Sequence, residues 1–307
     1  ILLHPTFPEE YVDKTRQDLL AAIKNQEDSL AYLAFRLLWK TLYPCHPYGM
    51  DVLGTLESVK GLTREGLADY YRKQAVSQNL VLAIVGDIDR FEAKEVAEEF
   101  LMGLRNEPFL RSIEACNTRP AQQAIQEVSA EKQQAHILVG ARGARHSDPD
   151  KYSLDVLDAV LSGMGGRLFA RLRDEQSLAY SVTALNREAV QPGMFAVYMA
   201  TSPDKRKVAI DGMIEQVQQI REEKIPEEEI ERAKNYLIGT YEVGIQTNSA
   251  QASAMAFNER YGLGYDEYLE YPHRIKEVTA NEVRKAAEKY LCPDCLAEAE
   301  VIPINHQ

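Results

Sequence analysis

The chain has 307 residues and a mass of 34.7 kDa, 45% apolar and 27% charged, the proportions of a globular protein long enough for about two domains with full cores. A net charge of -12 and a pI near 5.1 argue against nucleic acid, whose backbone needs clustered Lys and Arg, and disfavour an anionic membrane surface. Its longest wholly apolar stretches, such as 80–85, fall far short of the roughly 20 residues that span a bilayer.

In chain order, ILLHPTF carries no initiator Met, no basic-then-apolar leader and no small-residue cleavage site, so the expectation is a processed chain or a piece of one. FPEEYVDKTRQDLLAAI (7–23) predicts a helix: Pro in the first turn lacks an N–H the helix would not use, and the acidic pair faces the positive end of the helix dipole. His46-Pro-Tyr-Gly49 reads as a structural turn rather than a metal site. Thr63 is the predicted N-cap of the next helix, and Leu80–Val85 a strand. Residues 103–123 lack a clear period and serve as a linker.

Beyond it, 124–129 and 135–140 predict two strands, and SDPDK a helix capped by Ser147 that buries Tyr152, Val156, Leu157 and Val160 and stops at Gly163. Gly163-Met-Gly-Gly166 could cradle a phosphate through backbone N–H groups, but without GxxxxGK[ST] a helix stop and tight turn fits better. A short helix, GRLFARLRDEQ, then leads to strands LAYSVTAL and GMFAVYMAT. Ser202-Pro203 opens a helix with Ile210, Met213, Ile214, Val217 and Ile220 on one face. IPEEEIERAKNYLIGTY, a small-residue helix around SAQASAMAF, and a helix capped by Thr279 complete the chain. The runs REEK (221–224) and EEEIER are solvated helix ends, with Glu227 to Glu229 serving the dipole. The four cysteines are too sparse for a disulfide framework and do not distinguish compartments; Cys292-Pro-Asp-Cys295, with no second pair and no His at finger spacing, reads as a turn rather than a zinc site.

The chain repeats itself. Phe7, Pro8, Glu9, Glu10, Val12, Asp13, Lys14 and Leu19 match residues 225 to 237 in type at an offset of 218, and Leu62-Thr63, Leu67, Leu80 and Val85 match Val278-Thr279, Val283, Leu296 and Val301 at 216. Two matches in one order imply a duplicated unit of about 217 residues, of which the second copy is whole and the first lacks roughly its first hundred residues. The expected fold is α+β: duplicated two-layer domains, each a mixed, largely antiparallel sheet with helices on one face, the first copy truncated at its N-terminus. Expected boundaries are 1–105 for the partial domain, 106–123 for the linker and 124–307 for the complete domain.

LSGMGGRLFARLRDEQSLAYSV (161–182), together with FPEEYVDKTRQDLLAAI, CHPYGMDVLGTLESVKGLT (45–63) and NLVLAIVGDID (79–89), resembles the pitrilysin and insulinase metallopeptidases, which include the mitochondrial processing peptidases. The resemblance covers essentially the whole chain. It implies repeated domains, two per half, with the halves closing like a clamshell on a peptide. In that family HxxEH on a helix binds zinc and a later helix adds a Glu. None of the six His here forms HxxEH, and where that Glu would stand the sequence reads Ala21-Ala22. The resemblance therefore implies the non-catalytic, C-terminal half of a zinc metalloendopeptidase, inactive alone and without metal of its own. Zinc is expected in a catalytic half, in the same polypeptide or a homologous subunit, with unfolded peptides as substrates.

The resemblance also implies that Arg173 and Tyr180, seven residues apart in LRDEQSLAY, hold the substrate backbone near the metal in trans. Read from the residues alone, Tyr180 alternates with Leu178 and Val182 as a core residue would, and Arg173 has Asp174 and Glu175 beside it as ion-pair partners. A proteolytically inactive scaffold of the same fold, like the core subunits of a respiratory complex, is the alternative. The acidic balance of the chain suits basic peptides.

Overall fold

The computed structural model describes residues 2–109, 120–129, 133–163 and 165–304. The middle of the predicted linker, Cys116, Met164 and His306 lie outside the described residues.

The chain forms two compact units. The larger comprises residues 27–50, 115–243 and 270–307, and the smaller residues 1–26, 51–114 and 244–269. Each unit thus takes a segment of about 25 residues from within the other's stretch of sequence.

The larger unit is built on a five-stranded sheet of β1 (Gln123–Ser129), β2 (Ala135–Arg142), β3 (Ser181–Arg187), β4 (Met194–Thr201) and β5 (Ala297–Ile304), in the order β1-β5-β2-β4-β3. The β1–β5 pair is parallel and the other three are antiparallel. β2 and β4 read HILVGA and MFAVYMA; such unbroken apolar runs belong to strands covered on both faces. On one face lie α6 (Lys151–Leu161), α7 (Arg206–Glu222) and α11 (Ala280–Tyr290), whose Leu154, Leu157, Met213, Val217, Val283 and Ala287 join Ile137, Val139 and Val197 in one core. The opposite face is covered as well. There α2 (Leu30–Leu42) packs Leu33, Ala34, Leu38 and Leu42 onto Leu138, Ala196, Ala299 and Val301, so the helices of the predicted face are joined by one behind the sheet.

Local chemistry sets most boundaries. Thr279 accepts from the N–H of Glu282 while the Glu282 carboxylate accepts from the N–H of Thr279, a capping box at the predicted start of α11. α6 ends as predicted, with Gly163 at φ +77. It starts later than expected: Asp150, not Ser147, is the N-cap, because residues 145–148 are drawn into a turn in which the Asp148 carboxylate accepts from Arg145 N–H. Cys292 and Cys295 flank the expected turn, a short 3₁₀ one, and are joined across it by a disulfide; the turn brings their Cα atoms to 5.0 Å, within bridging range.

The smaller unit contains α1 (Glu9–Glu27) up to residue 26, α3 (Leu56–Lys60), α4 (Arg64–Gln74), α5 (Arg90–Leu101) and α9 (Asn248–Arg260). Thr63 caps α4 through the N–H of Gly66, as predicted. The expected strand at 80–85 does not form among the described residues. Leu80 has strand dihedrals, but among the described residues no neighbouring strand pairs with the segment, and Leu82 and Ile84 are exposed. Of this unit's described apolar residues only Ile23, Val59 and Val76 are buried. An open cavity of about 500 Å³ is lined by Phe7, Val12, Thr15, Leu19, Leu62 and Leu67.

Candidate substrate-binding site

Arg173 and Tyr180 lie in the larger unit, on a segment whose regularity breaks twice. The predicted helix 166–176 forms, but over Phe169–Glu175 it is wound as a π-helix, a form that concentrates at functional sites. Two residues on, Ser177 has φ +52, a left-handed conformation that non-glycine residues rarely adopt. The chain then enters β3.

Both side chains reach solvent. Tyr180 is 60% exposed, while Leu178 two residues before it is buried and Val182 two residues after it packs against the core, so the core reading of Tyr180 fails. Of the two expected partners of Arg173, Glu175 is instead held by Arg171 at 2.9 Å, and among the described residues Asp174 makes no ion pair with it. The Arg173 guanidinium lies 4.6 Å from the centroid of the Phe169 ring, which steadies the long side chain and leaves its N–H groups free of carboxylates among the described residues.

Arg167, Glu229 and Arg232, none of which the sequence places at the site, anchor this segment. Arg167 forms a two-pronged pair with Glu229, at 2.7 and 3.3 Å, on α8 (Glu227–Gly244). Arg232, also on α8, donates to the carbonyl of Gly165 at 3.0 Å. Glu229 therefore holds the segment as well as serving the helix dipole. The available signal was that 229 and 232 stand on one helix face three residues apart, but their partners are some 60 residues away in sequence. Gly166 completes the turn: a Cβ there would meet the carbonyl oxygen of Ser162 at 2.1 Å, so this glycine serves chain packing, while Gly163 serves the left-handed helix stop.

The histidines are dispersed. His46 Nδ1 accepts from the N–H of Tyr48, His136 bonds Tyr198, His146 faces Glu188 and His273 faces Glu277. Among the described residues no three His, Cys, Asp or Glu side chains gather as metal ligands, and Ala21 and Ala22 lie on α1 with no carboxylate to offer. These residues do not fit a zinc site.

Beneath β3 lies a buried acidic group. Asp155 accepts from Asn186 Nδ2 at 2.9 Å and from the Tyr271 hydroxyl at 3.1 Å, with Tyr271 on α10 (Glu267–Glu277). Burial, followed by the charge of Glu188, raises its carboxyl to about 7. Burial also raises Asp158. Their partners are main-chain and side-chain groups of the fold, so they belong to the scaffold under the site.

Residues 61–237, more than half of the chain, match the family described as the peptidase M16 inactive domain. An uncharacterized zinc protease of Streptomyces coelicolor is 27% identical over 292 residues, covering 92% of this chain and 63% of that protein. The uncharacterized zinc protease YmxG of Bacillus subtilis is 24% identical over 262 residues, covering 84% and 63%. The chain thus spans less than two thirds of the length of these relatives. Among solved structures, a peptidase M16 inactive domain from Pseudomonas fluorescens superposes with a TM-score of 0.90 at 23% identity, covering 100% of this chain and 74% of that one. A chain of complex III2 from Candida albicans superposes with a TM-score of 0.76 at 14% identity, covering 94% and 70%. The matched stretch covers more than half of the chain, and the chain belongs to the peptidase M16 inactive-domain family.

Proposed function

We propose that this chain is the non-catalytic half of a clamshell zinc metalloendopeptidase and that Arg173 and Tyr180 bind and position an unfolded peptide for a zinc-bearing half. The observation that carries this reading is the pair itself: a guanidinium and a phenol, both presented to solvent by a segment with a π-helix and a left-handed residue between them. Fixed donors of this kind, aimed at a peptide carbonyl, stabilise negative charge as it develops on oxygen. Water is excluded and the donors need not reorganise once the halves close.

The smaller unit is the C-terminal part of a second domain of the same fold. α2 and α9 support this: each has 13 residues, they start 218 residues apart (30 and 248), and Ser29 and Thr247 cap them alike. The cavity supports it too. Phe7, Val12, Thr15, Leu62 and Leu67 are the offset counterparts of Ile225, Ile230, Ala233, Val278 and Val283, all in the core of the larger unit. A segment folded like 120–224 would fill it.

The test is cleavage of a quenched unstructured peptide by this chain, alone and combined with its zinc-bearing half. The chain alone is expected to be inert. Arg173→Ala or Tyr180→Phe should lower kcat of the assembly by roughly a hundredfold, the usual cost of one such donor. Full activity in both variants would sink the substrate-binding role. A stable assembly that cleaves nothing would support the scaffold reading, which the likeness to a complex III2 chain favours.

A further inference from the structure

The geometry points to Thr201 as the positioning residue for the Arg173–Tyr180 pair, an inference that rests on the substrate-binding reading above. What must be explained is how residues 176–179, a connector with no regular structure, keep two exposed side chains in a fixed relation. Ser177 at φ +52 persists only if its surroundings over-determine it.

Both ends of the connector are tied. At the first end Ser177 N–H donates to the carbonyl of Arg173 itself at 3.0 Å, and Leu178 N–H to the carbonyl of Leu172 at 2.9 Å. At the other, Tyr180 N–H donates to the Ala200 carbonyl at 2.9 Å. Between them the Thr201 hydroxyl donates to the Leu178 carbonyl at 2.6 Å, and Lys205 Nζ donates to the Ser177 carbonyl at 3.0 Å. Thr201 is 0% exposed and ends β4, the strand paired with β3. Its hydroxyl is the one fully buried side-chain group in this set. It clamps the connector to a strand paired on both of its edges, so Arg173 and Tyr180 inherit their spacing from the sheet. Lys205 is exposed to solvent competition and adds less.

Thr201→Val keeps the shape and deletes the donor, and Thr201→Ser keeps the donor. In the assembled enzyme Thr201→Val is expected to lower kcat about tenfold with KM little changed, and Thr201→Ser to restore it. Combined with Arg173→Ala and Tyr180→Phe, Thr201→Val should add less than twofold, because the pair it positions is already gone. An undiminished tenfold loss in that background would overturn the inference in favour of a general role in the fold. So would a silent Thr201→Val where Arg173→Ala is not silent. If Arg173→Ala and Tyr180→Phe are themselves silent, the substrate-binding reading fails and amide exchange decides the positioning alone. Thr201→Val should then speed exchange of Ser177, Leu178 and Tyr180 at least tenfold and leave Ile137 and Val139 unchanged. Uniform acceleration, or none, would overturn it.

Discussion

Asp155 shows how one carboxyl ties the stability of the larger unit to pH. Its proton is held up to about pH 7 in the fold, against an ordinary value of 3.8, because burial and the nearby Glu188 disfavour the charge. Donation from Asn186 and Tyr271 favours the carboxylate without restoring it. Asn186 Oδ1, meanwhile, is buried with no partner. Because the folded chain binds this proton more tightly than the unfolded chain, its contribution is fully present below about pH 4. It is lost as pH rises through 7. A shift of this size corresponds to at most about 4 kcal/mol. Asp155→Asn should flatten the stability profile between pH 5 and 8 and raise Tm at pH 8. Thermal scans across that range, showing the same slope in both proteins, would refute the assignment.

At the scale of elements, α6 does for β3 what a sixth strand would do. Asp155, Asp158 and Ser162 share one face of the helix and its cap. Ser162 Oγ accepts from Ala184 N–H at 2.9 Å and donates to the Ala184 carbonyl at 3.1 Å, and Asp158 accepts from Asn186 N–H at 3.2 Å. An edge strand with bare N–H and C=O groups invites other chains to pair with it; here side chains occupy both groups of Ala184 and the N–H of Asn186. Ser162→Ala should cost roughly 1–3 kcal/mol through unsatisfied backbone groups and promote association. Urea denaturation and light scattering together check this, and unchanged values in both would remove the edge-guarding role. Such pairings explain what was and was not legible in the sequence. Thr63 and Thr279 announced their helices because a cap is a contact within four residues. β2 and β4 were readable from apolar runs alone. The strand expected at 80–85 failed because a strand needs a partner, which its own residues do not encode. The π-helix at 169–175 and the left-handed Ser177 depend on bonds to residues 201, 205, 229 and 232. Arg173 and Tyr180 were nameable by family likeness, whereas their exposure, and the residues that hold them, were not.

At the scale of the whole molecule the two units differ in how much apolar surface they bury, and that difference predicts how the chain behaves in parts. Val283 is 0% exposed in the core of the larger unit, whereas its counterpart Leu67 lines an open cavity. Large-to-small changes in a packed core cost about 2–5 kcal/mol for Leu, and an unpaired charge there costs more. At an open position the same change costs about 0.5 kcal/mol or less. Leu67→Asp should therefore leave the thermal unfolding of this chain almost untouched. In a longer polypeptide that carries a segment folded like 120–224 ahead of α1, it should be severely destabilising. Val283→Asp should be severe in both. The smaller unit of the shorter chain should also bind a hydrophobic dye and melt first, because the three apolar residues buried among its described residues offset little of the entropy of ordering its backbone. Equal sensitivity to Leu67→Asp in the two lengths of chain would mean that nothing fills the cavity, and the duplicated-domain proposal would fall with it.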